Sequence, residues 1–297
     1  MYESHDIELR LGVGVDVLGV DNHLILLRDG SALPAEDVVL AIGFTARRLP
    51  VPGADLANVL TLRDAADARA FSVCLATGGP LVIVGGGFIG LELAAVAREN
   101  VITVTVVELD SLPLIGVMGR EVAEFMHRLH TDRGVQFRLG VSVAAFVGTS
   151  VVEAVELDDG ECLPAQTVVV GVDTVPQVAF AESAGLEVDR SGIVVDRFGN
   201  TSHPSVSAAG DVATQPHPRC THLAASNTGT SRSATAQGSA RLSSASRHPS
   251  KRRRMPGRTS TTRCCRCSGA RTRATRSCCV AVVCRSVSWR SGFATAA

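Results

Sequence analysis

Three glycines spaced as Gly85-x-Gly87-x-x-Gly90 have the residue type and spacing of a turn that could hold a diphosphate. The first glycine permits a sharp turn, the second lets the backbone approach a pyrophosphate, and the third lets a helix pack close to a sheet. The free N–H groups at the start of that helix would face the phosphates. The turn supplies six candidate cofactor contacts: Gly85, Gly86, Gly87, Phe88, Ile89 and Gly90.

An acidic residue, Glu108, follows the turn by the ~20 residues that separate the two parts of a dinucleotide site. Its carboxylate could accept hydrogen bonds from the adenosine ribose hydroxyls. No Arg or Lys follows it in residues 109–111, so a 2′-phosphate would meet negative charge there. The sequence therefore predicts NAD rather than NADP. The competing interpretation is a glycine-rich turn between a strand and a helix that binds no ligand.

The elements that must position these residues are predicted from apolar patterns. An apolar run over residues 81–84 precedes the turn, and a helical pattern runs from Leu91 to Arg98 after it. A second apolar run, Val101 to Val107, ends at Glu108. The order of strand, tight turn, helix, strand and acid is the context that a dinucleotide-binding motif requires.

Other elements are predicted on either side of this unit. A helix is expected over residues 61–77, with its first residue as the N-cap, and another over about residues 120–133. The second helix has one apolar face that we expect to be core, formed by Val122, Phe125, Met126 and Leu129. The turn Asp158-Asp159-Gly160 indicates a hairpin between residues 151–157 and 167–172.

The charges of the chain are divided unequally. All 29 acidic residues lie at or before Asp211, whereas 16 of the 29 basic residues follow it. After about residue 219 the sequence is rich in Ser, Thr, Arg and Ala, and we expect a basic, disordered tail. Because such an abrupt switch is typical of a GC-rich coding sequence read out of frame, we hypothesise a frameshift between Val212 and about Arg247.

Several partners and locations are not expected. Residues 1–10 contain no apolar signal segment, and no run of 18 apolar residues could cross a membrane. Three cysteines are scattered through the chain, namely Cys74, Cys162 and Cys220. This spacing favours a reducing compartment, so the protein is expected to be cytoplasmic. The cysteines after residue 263 have no nearby histidine, and no metal site is predicted. The basic run Lys251–Arg254 is interpreted as a solvated stretch rather than a nucleic-acid patch.

The order of the motifs resembles that of FAD-dependent, NADH-using ferredoxin reductases, within the pyridine nucleotide–disulfide oxidoreductase class. The motifs are GGGFIGLE at 85–92, VTVVEL at 104–109, VVVGVDTVP at 168–176, AGLEVDRSGIVVD at 184–196 and AAGDVA at 208–213. The earlier segment LAIGFTARRLP at 40–50 is similar to the ATG…PR.LP stretch of that family. The resemblance covers about residues 5–215.

The resemblance implies a flavin mechanism, in which NADH passes a hydride to FAD and the flavin releases electrons singly to a ferredoxin or rubredoxin-type acceptor. No catalytic side chain is assigned, because the cofactor carries the chemistry. The implied contacts are Asp211 with Gly210 at the flavin ribityl chain, Gly43 and Arg47 near the FAD, Glu92 near the nicotinamide carboxamide, and Gly171 before the VP motif.

The same resemblance implies an α/β fold in which one domain is inserted in another. A Rossmann-like NAD-binding domain is expected over residues 78–172. It would interrupt a partial FAD-binding domain formed by residues 1–77 and 173–215. The basic tail, residues 216–297, would follow.

The chain departs from the family in ways that bear on FAD. It has no GxGxxG unit before residue 40, where the family has one for the FAD pyrophosphate, so it is expected to begin within the FAD domain. Ile42 stands for the Thr of ATG, and Asp173 stands for the second glycine of a Gly-x-Gly. An incomplete domain is expected to leave an unpaired sheet edge and low solubility.

These departures leave alternatives open. One is an inactive remnant that binds NAD but transfers no electrons. Another is a nucleic-acid-associated protein that acts through the basic tail. A third, within the enzyme class, is an NADH oxidase or a nitrite-reductase-like subunit.

Overall fold

A computed structural model describes residues 7–216, 223–225 and 279–282 of the 297-residue chain. The chain divides into two compact units. Among the described residues, the first unit contains 7–43 and everything from 176 onward, and the second contains 44–175. The architecture is α/β, as predicted.

The described strands are β1 (Val15–Gly19), β2 (Leu24–Leu27), β3 (Ala32–Pro34), β4 (Asp37–Leu40), β5 (Phe44–Ala46), β6 (Val59–Thr61), β7 (Leu81–Val84), β8 (Val104–Glu108), β9 (Gln136–Leu139), β10 (Val143–Val147), β11 (Ala154–Leu157), β12 (Cys162–Pro164), β13 (Thr167–Val170), β14 (Thr174–Pro176), β15 (Val188–Asp189), β16 (Gly192–Val194), β17 (Val206–Ala208), β18 (Ala213–Pro216), β19 (Leu223–Ala225) and β20 (Cys279–Val282). The described helices are α1 (Ala65–Thr77), α2 (Phe88–Glu99), α3 (Ile115–Met118), α4 (Arg120–Thr131) and α5 (Ala179–Ser183). None of these helices is long and apolar enough to cross a membrane.

The second unit is built on a parallel sheet in the order β6-β13-β7-β8-β9. Every residue of the central strands β7 and β13 is buried, because a parallel sheet is covered on both faces. One core on this sheet contains Ile83, Ala94 and Val106, and a second contains Val84, Val155 and Val168. The three-stranded antiparallel sheet β10-β11-β12 contributes to the second core. Residues 44–77 belong to this unit because β6 pairs with β13 and Phe71 of α1 packs in the first core.

The first unit contains an antiparallel meander, β1-β2-β3, and a parallel pair, β4 and β17. A second antiparallel and parallel group follows the order β15-β16-β18-β19. The core of this unit contains Ile25, Leu40 and Ile193. Strand β4 pairs in parallel with β17 on one side and with β20 on the other. The unpaired sheet edge expected for an incomplete domain is therefore not found at β4. Strands β19 and β20 lie within the tail that was predicted to be disordered, and the rest of that tail after residue 216 lies outside the described residues.

Helix α1 begins four residues later than predicted. Thr61, the expected N-cap, is the last residue of β6, and Asp64 caps the helix instead. The Asp64 carboxylate accepts hydrogen bonds from the N–H groups of Ala66 and Asp67, and the Asp67 carboxylate accepts one from the Asp64 N–H. This reciprocal capping box satisfies donors that the Thr61 position could not reach.

The predicted core face of α4 is half right, since Met126 and Leu129 are half-buried. Val122 and Phe125 are exposed, whereas Ala123 and His130 are buried. The His130 ring nitrogens lie 2.9 Å from the Met126 carbonyl oxygen and 3.3 Å from the Leu91 carbonyl oxygen. The buried His130 ring contacts the Leu91 carbonyl oxygen of α2 and so fixes how α4 is rotated about its axis. The most buried residues of α4, Ala123 and His130, therefore each follow by one position a residue of the predicted apolar face, Val122 and Leu129.

The predicted hairpin has the right turn and the wrong second strand. The turn around Gly160, with φ +87°, joins β11 to β12 in an antiparallel pair. Residues 167–170 instead form β13 of the parallel sheet. An apolar run of four residues fits either a hairpin or a buried parallel strand, and the sequence pattern could not separate them.

Candidate dinucleotide site

Glycine is required at two positions of the turn between β7 and α2. Gly85 has φ +106°, a backbone conformation that residues with a Cβ rarely adopt. A Cβ there would also lie 2.8 Å from the Gly171 carbonyl oxygen. A Cβ at Gly90 would collide with the Gly85 carbonyl oxygen. The turn is therefore tightly packed against the sheet, as the spacing predicts.

The middle glycine of the motif faces open space. Gly87 is the N-cap of α2, has an ordinary φ of −75°, and makes no side-chain cap. No heavy atom lies within 4 Å of the position where its Cβ would stand. A ligand phosphate could therefore approach the backbone here and meet the first N–H groups of the 12-residue helix.

Glu108 fixes the other side of the turn. Its Oε2 atom accepts a hydrogen bond of 2.5 Å from the Gly86 N–H, and its Oε1 atom accepts one of 2.9 Å from the Asp110 N–H. The side chain is half-buried at the end of β8. Because each carboxylate oxygen has a second lone pair, both can still accept a bond from a ribose hydroxyl.

The carboxyl ends of three adjacent strands meet at this edge. Gly85 follows β7, Glu108 ends β8, and Gly171 follows β13 with its N–H bonded to the Val84 carbonyl oxygen at 2.8 Å. The chain leaves β7 towards β8, while β13 flanks β7 on the opposite side. That reversal is a topological switch point, the place where doubly wound sheets bind ligands.

The remaining candidates on α2 stand at its surface. Phe88 and Ile89, in the first turn, are 53% and 42% exposed, and Glu92 is exposed. Large apolar side chains at the open start of a helix are available to cover a bound nucleotide.

An ion pair that the sequence did not reveal lies beside Gly171. Arg47 Nη2 is 3.3 Å from Asp173 Oδ2, and the Arg47 N–H donates to the Asp173 carbonyl oxygen at 3.4 Å. Asp173 has φ +52°, so the backbone keeps a left-handed conformation although the residue is not glycine. Its Oδ1 atom accepts a hydrogen bond of 2.9 Å from the Thr174 N–H. The pairing of β5 with β14 brings the two segments together, and no local pattern signals that long-range pairing.

The residues predicted to contact flavin in the first unit also share one edge. Gly43 follows β4, while Gly210 and Asp211 follow β17, and the two strands are parallel. Gly43 and Gly210 have φ values of +62° and +79°, and the Ala209 N–H bonds to the Leu40 carbonyl oxygen at 2.9 Å. No heavy atom lies within 4 Å of a Cβ built on Gly210. Gly43 and Gly210 are half-buried, so a ligand could approach the backbone at this edge, and the buried Ile42 belongs to the core of the same unit.

Two cavities of the second unit are lined by other residues. One, of about 170 Å³, is lined in part by Arg48, Thr61 and Asp67. The other, of about 510 Å³, is lined in part by His127 and Phe137. The described residues contain no cluster of His, Cys, Asp and Glu that could hold a metal ion. The switch-point edge is an open crevice, and its glycines and Glu108 distinguish it from these cavities.

Comparison with known proteins gives a consistent set of similarities. The model of the pyridine nucleotide-disulphide oxidoreductase family matches residues 3–237. The chain is 38% identical over 215 residues to the benzene 1,2-dioxygenase system ferredoxin–NAD(+) reductase subunit of Pseudomonas putida, which covers 72% of this chain and 52% of that protein. It is 36% identical over 218 residues to putidaredoxin reductase of Pseudomonas putida, covering 71% and 51%. The chain thus spans about half the length of these curated relatives.

Solved structures show the same similarity. The ferredoxin reductase for the CYP199A2 system from Rhodopseudomonas palustris matches with a TM-score of 0.75 and 33% identity, over 80% of this chain and 58% of that one. A covalent complex of putidaredoxin reductase with putidaredoxin matches with the same TM-score, identity and coverage.

Proposed function

The chain belongs to the pyridine nucleotide-disulphide oxidoreductase family, and from this premise we propose that it takes electrons from NADH and passes them through FAD to a ferredoxin or rubredoxin-type iron–sulfur acceptor. The names of its relatives support this acceptor class, since they include reductases of ferredoxin and putidaredoxin. The observation that carries the proposal is the open backbone at Gly87, between a tightly packed glycine turn and the fixed carboxylate of Glu108.

NADH would bind along the carboxyl edge of the second unit. Its pyrophosphate would lie over the turn and accept hydrogen bonds from the first N–H groups of α2, with Gly85, Gly86, Gly87 and Gly90 as the cradle. Glu108 would accept hydrogen bonds from the adenosine ribose. Phe88, Ile89, Glu92 and Gly171 would border the rest of the dinucleotide. The negative charges of Glu108 and Asp110 would repel a 2′-phosphate and so favour NADH over NADPH.

FAD would be held in part by the edge formed after β4 and β17. Gly43, Gly210 and Asp211 would supply close backbone approach and a hydrogen-bonding carboxylate. When bound, FAD supplies the capacity to accept a hydride and to release electrons one at a time. In domain terms, residues 78–172 would be the NAD-binding domain. Of the predicted FAD-binding part, residues 7–43 and 176–215 lie in the first unit, whereas residues 44–77 pack with the second. We further propose a cytoplasmic location, which the free thiols of Cys74 and Cys162 support.

The test of dinucleotide binding uses Gly87→Ala in the full chain. The new methyl group would occupy open space in the free protein, and the backbone conformation suits alanine, so the fold is expected to persist with only the small loss of stability that alanine causes at an N-cap. The methyl would stand where the pyrophosphate must approach, and the Kd for NADH should rise about tenfold or more. Isothermal titration calorimetry measures the Kd. Gly116→Ala is the matched control, since a Cβ there also meets no atom, and it should bind NADH as the unchanged chain does.

Flavin binding is tested by incubating the chain with FAD, removing free FAD by desalting, and recording the visible spectrum. A retained flavin band near about 450 nm that bleaches on addition of NADH supports the reductase. A chain that binds NADH but retains no flavin would be an NAD-binding remnant, and the proposal of electron transfer would be wrong. A chain that binds neither would contradict both parts of the proposal.

A further inference from the structure

Two carboxylates flank the glycine turn from opposite sides. Glu108 belongs to β8 and Asp173 follows β13, and these strands are the two neighbours of β7. The loop after β13 packs directly on the turn, because a Cβ at Gly85 would lie 2.8 Å from the Gly171 carbonyl oxygen and 3.2 Å from Val172 Cγ1. The Asp173–Arg47 pair therefore stands at the same carboxyl edge as Glu108, across the switch point from it.

The topology then fixes which half of a dinucleotide meets this pair. A dinucleotide whose pyrophosphate lies on the turn, and whose adenosine ribose faces Glu108, must extend its second nucleoside away from β8. The strand on that side is β13, so the nicotinamide nucleoside passes over the loop that contains Asp173. This step rests on the proposed NADH site, and it concerns residues of the second unit alone.

The nicotinamide ring changes charge when it is reduced. It carries one positive charge in NAD+ and none in NADH, so a fixed charge nearby acts on the two forms differently. A carboxylate favours the oxidised form, and a guanidinium favours the reduced form. Asp173 and Arg47 would supply one charge of each sign beside a bound ring, and these charges nearly cancel while the two side chains remain paired.

We propose that the Arg47–Asp173 pair determines the relative affinity of this site for NAD+ and NADH. The pair contributes little to folding, because both side chains are more than half exposed. Its acidic member occupies a left-handed position that costs free energy for a residue other than glycine. Asp173 thus has an unfavourable backbone conformation and adds little to stability, yet it lies next to the candidate dinucleotide site. An effect on the bound ligand explains its presence.

The proposal predicts opposite effects from its two members. Asp173→Asn leaves Arg47 unpaired, and Asn tolerates the left-handed conformation. The ratio of the NAD+ Kd to the NADH Kd should then rise about fivefold, as expected for a charge some ten ångströms away in a partly screened environment. Arg47→Gln leaves Asp173 unpaired, and the ratio should fall about fivefold. The double variant should return close to the original ratio.

Calorimetric titration of the full chain with NAD+ and with NADH measures these ratios. Asp55→Asn is the matched control, because it breaks another exposed Asp–Arg pair, to Arg48, in the loop before the amino end of β6. Its ratio should not change. A loss of the pair that acts only through folding would weaken NAD+ and NADH binding by the same factor and leave the ratio unchanged. A ratio that shifts in the same direction in both single variants also overturns the proposal.

Two other results are distinguishable. If NAD+ and NADH both bind and neither single variant alters the ratio, the pair does not face the ring and this inference is wrong, while the NADH site stands. If the unchanged chain binds neither dinucleotide, the proposed function itself is wrong and the inference falls with it.

Discussion

The edge after β7 in the second unit and the edge after β4 and β17 in the first unit are both candidate cofactor sites, but they are built differently. The dinucleotide edge takes its turn, helix and acid from one continuous stretch, residues 85–108, on a five-stranded sheet. The flavin edge joins strands of four and three residues that are far apart in sequence, with β20 as the third strand. The dinucleotide edge therefore depends mainly on local sequence, whereas the flavin edge depends on the pairing of distant segments.

The first prediction compares the loss of stability when one methyl group is added at each edge, and the largest loss is expected at the dinucleotide edge. Gly90→Ala forces a Cβ onto the Gly85 carbonyl oxygen, which is backbone that cannot rotate away. We expect the free energy of unfolding to fall by about 3 kcal/mol. Gly210→Ala meets open space and carries only the strain of φ +79°, so about 1 kcal/mol is expected. Urea denaturation followed by circular dichroism measures both.

That comparison can fail in one informative way. If Gly210→Ala destabilises the chain as much as Gly90→Ala does, the flavin edge is packed as tightly as the dinucleotide edge. The claimed difference between the two regions would then be wrong.

The second prediction concerns the buried imidazole that joins α4 to α2. His130→Ala would leave the Leu91 and Met126 carbonyl groups without their side-chain partner and would open a cavity. The expected loss is about 2 kcal/mol of unfolding free energy. His127 lies on the same helix and is only partly buried, so His127→Ala should lower the unfolding free energy by less than half as much. Equal losses in the two variants would mean that the buried contacts of His130 do not hold the helices together.

The third prediction separates the two sites by ligand. Glu108→Gln should raise the Kd for NADH about tenfold and leave flavin retention unchanged, because the amide cannot accept on both sides. It should also bring the Kd for NADPH closer to that for NADH. Asp211→Asn should have the converse effect, with flavin retention lowered and NADH binding unchanged. Glu99→Gln, at the far end of α2, is the control for charge alone. A single variant that lowers binding of both cofactors would show that the two edges are not independent sites.

Much of the second unit could be predicted from sequence because its signals are local. The strand, glycine turn, helix and acid of residues 81–108 follow one another, and each has a pattern that short-range geometry dictates. The errors arose where a distant partner decides the outcome. The burial of His130 against Leu91 turned α4 away from its apolar stripe. Arg47 and Asp173 are more than 120 residues apart, and the sequence identified Asp173 as an unusual residue without revealing its partner.

The smallest predicted effect is on acid stability, and it compares one carboxylate in each unit. The Arg138 guanidinium hydrogen-bonds Glu161 and holds the pKa of that carboxyl below its ordinary value of 4.5. In the first unit, burial raises the pKa of Asp196, but hydrogen bonds from Asn200, Phe198 and Gly199 outweigh it and leave the pKa lowered. A lowered folded-state pKa means that each stabilising contribution is fully present above the ordinary value. It is lost as the pH falls through the folded-state value.

Glu161→Gln should therefore lower the thermal stability slightly near neutral pH and make it less sensitive to pH below about 4.5. The change should be small, because the pair is only partly buried and solvent screens it. Scanning calorimetry between about pH 3 and pH 7 measures the dependence, with Glu156→Gln on the neighbouring strand as the control for charge. The opposite result is an unchanged pH dependence of thermal stability in Glu161→Gln and a changed one in Asp196→Asn. The carboxylates whose titration lowers stability in acid would then lie in the first unit. Acid would then be expected to release the flavin edge before the dinucleotide edge.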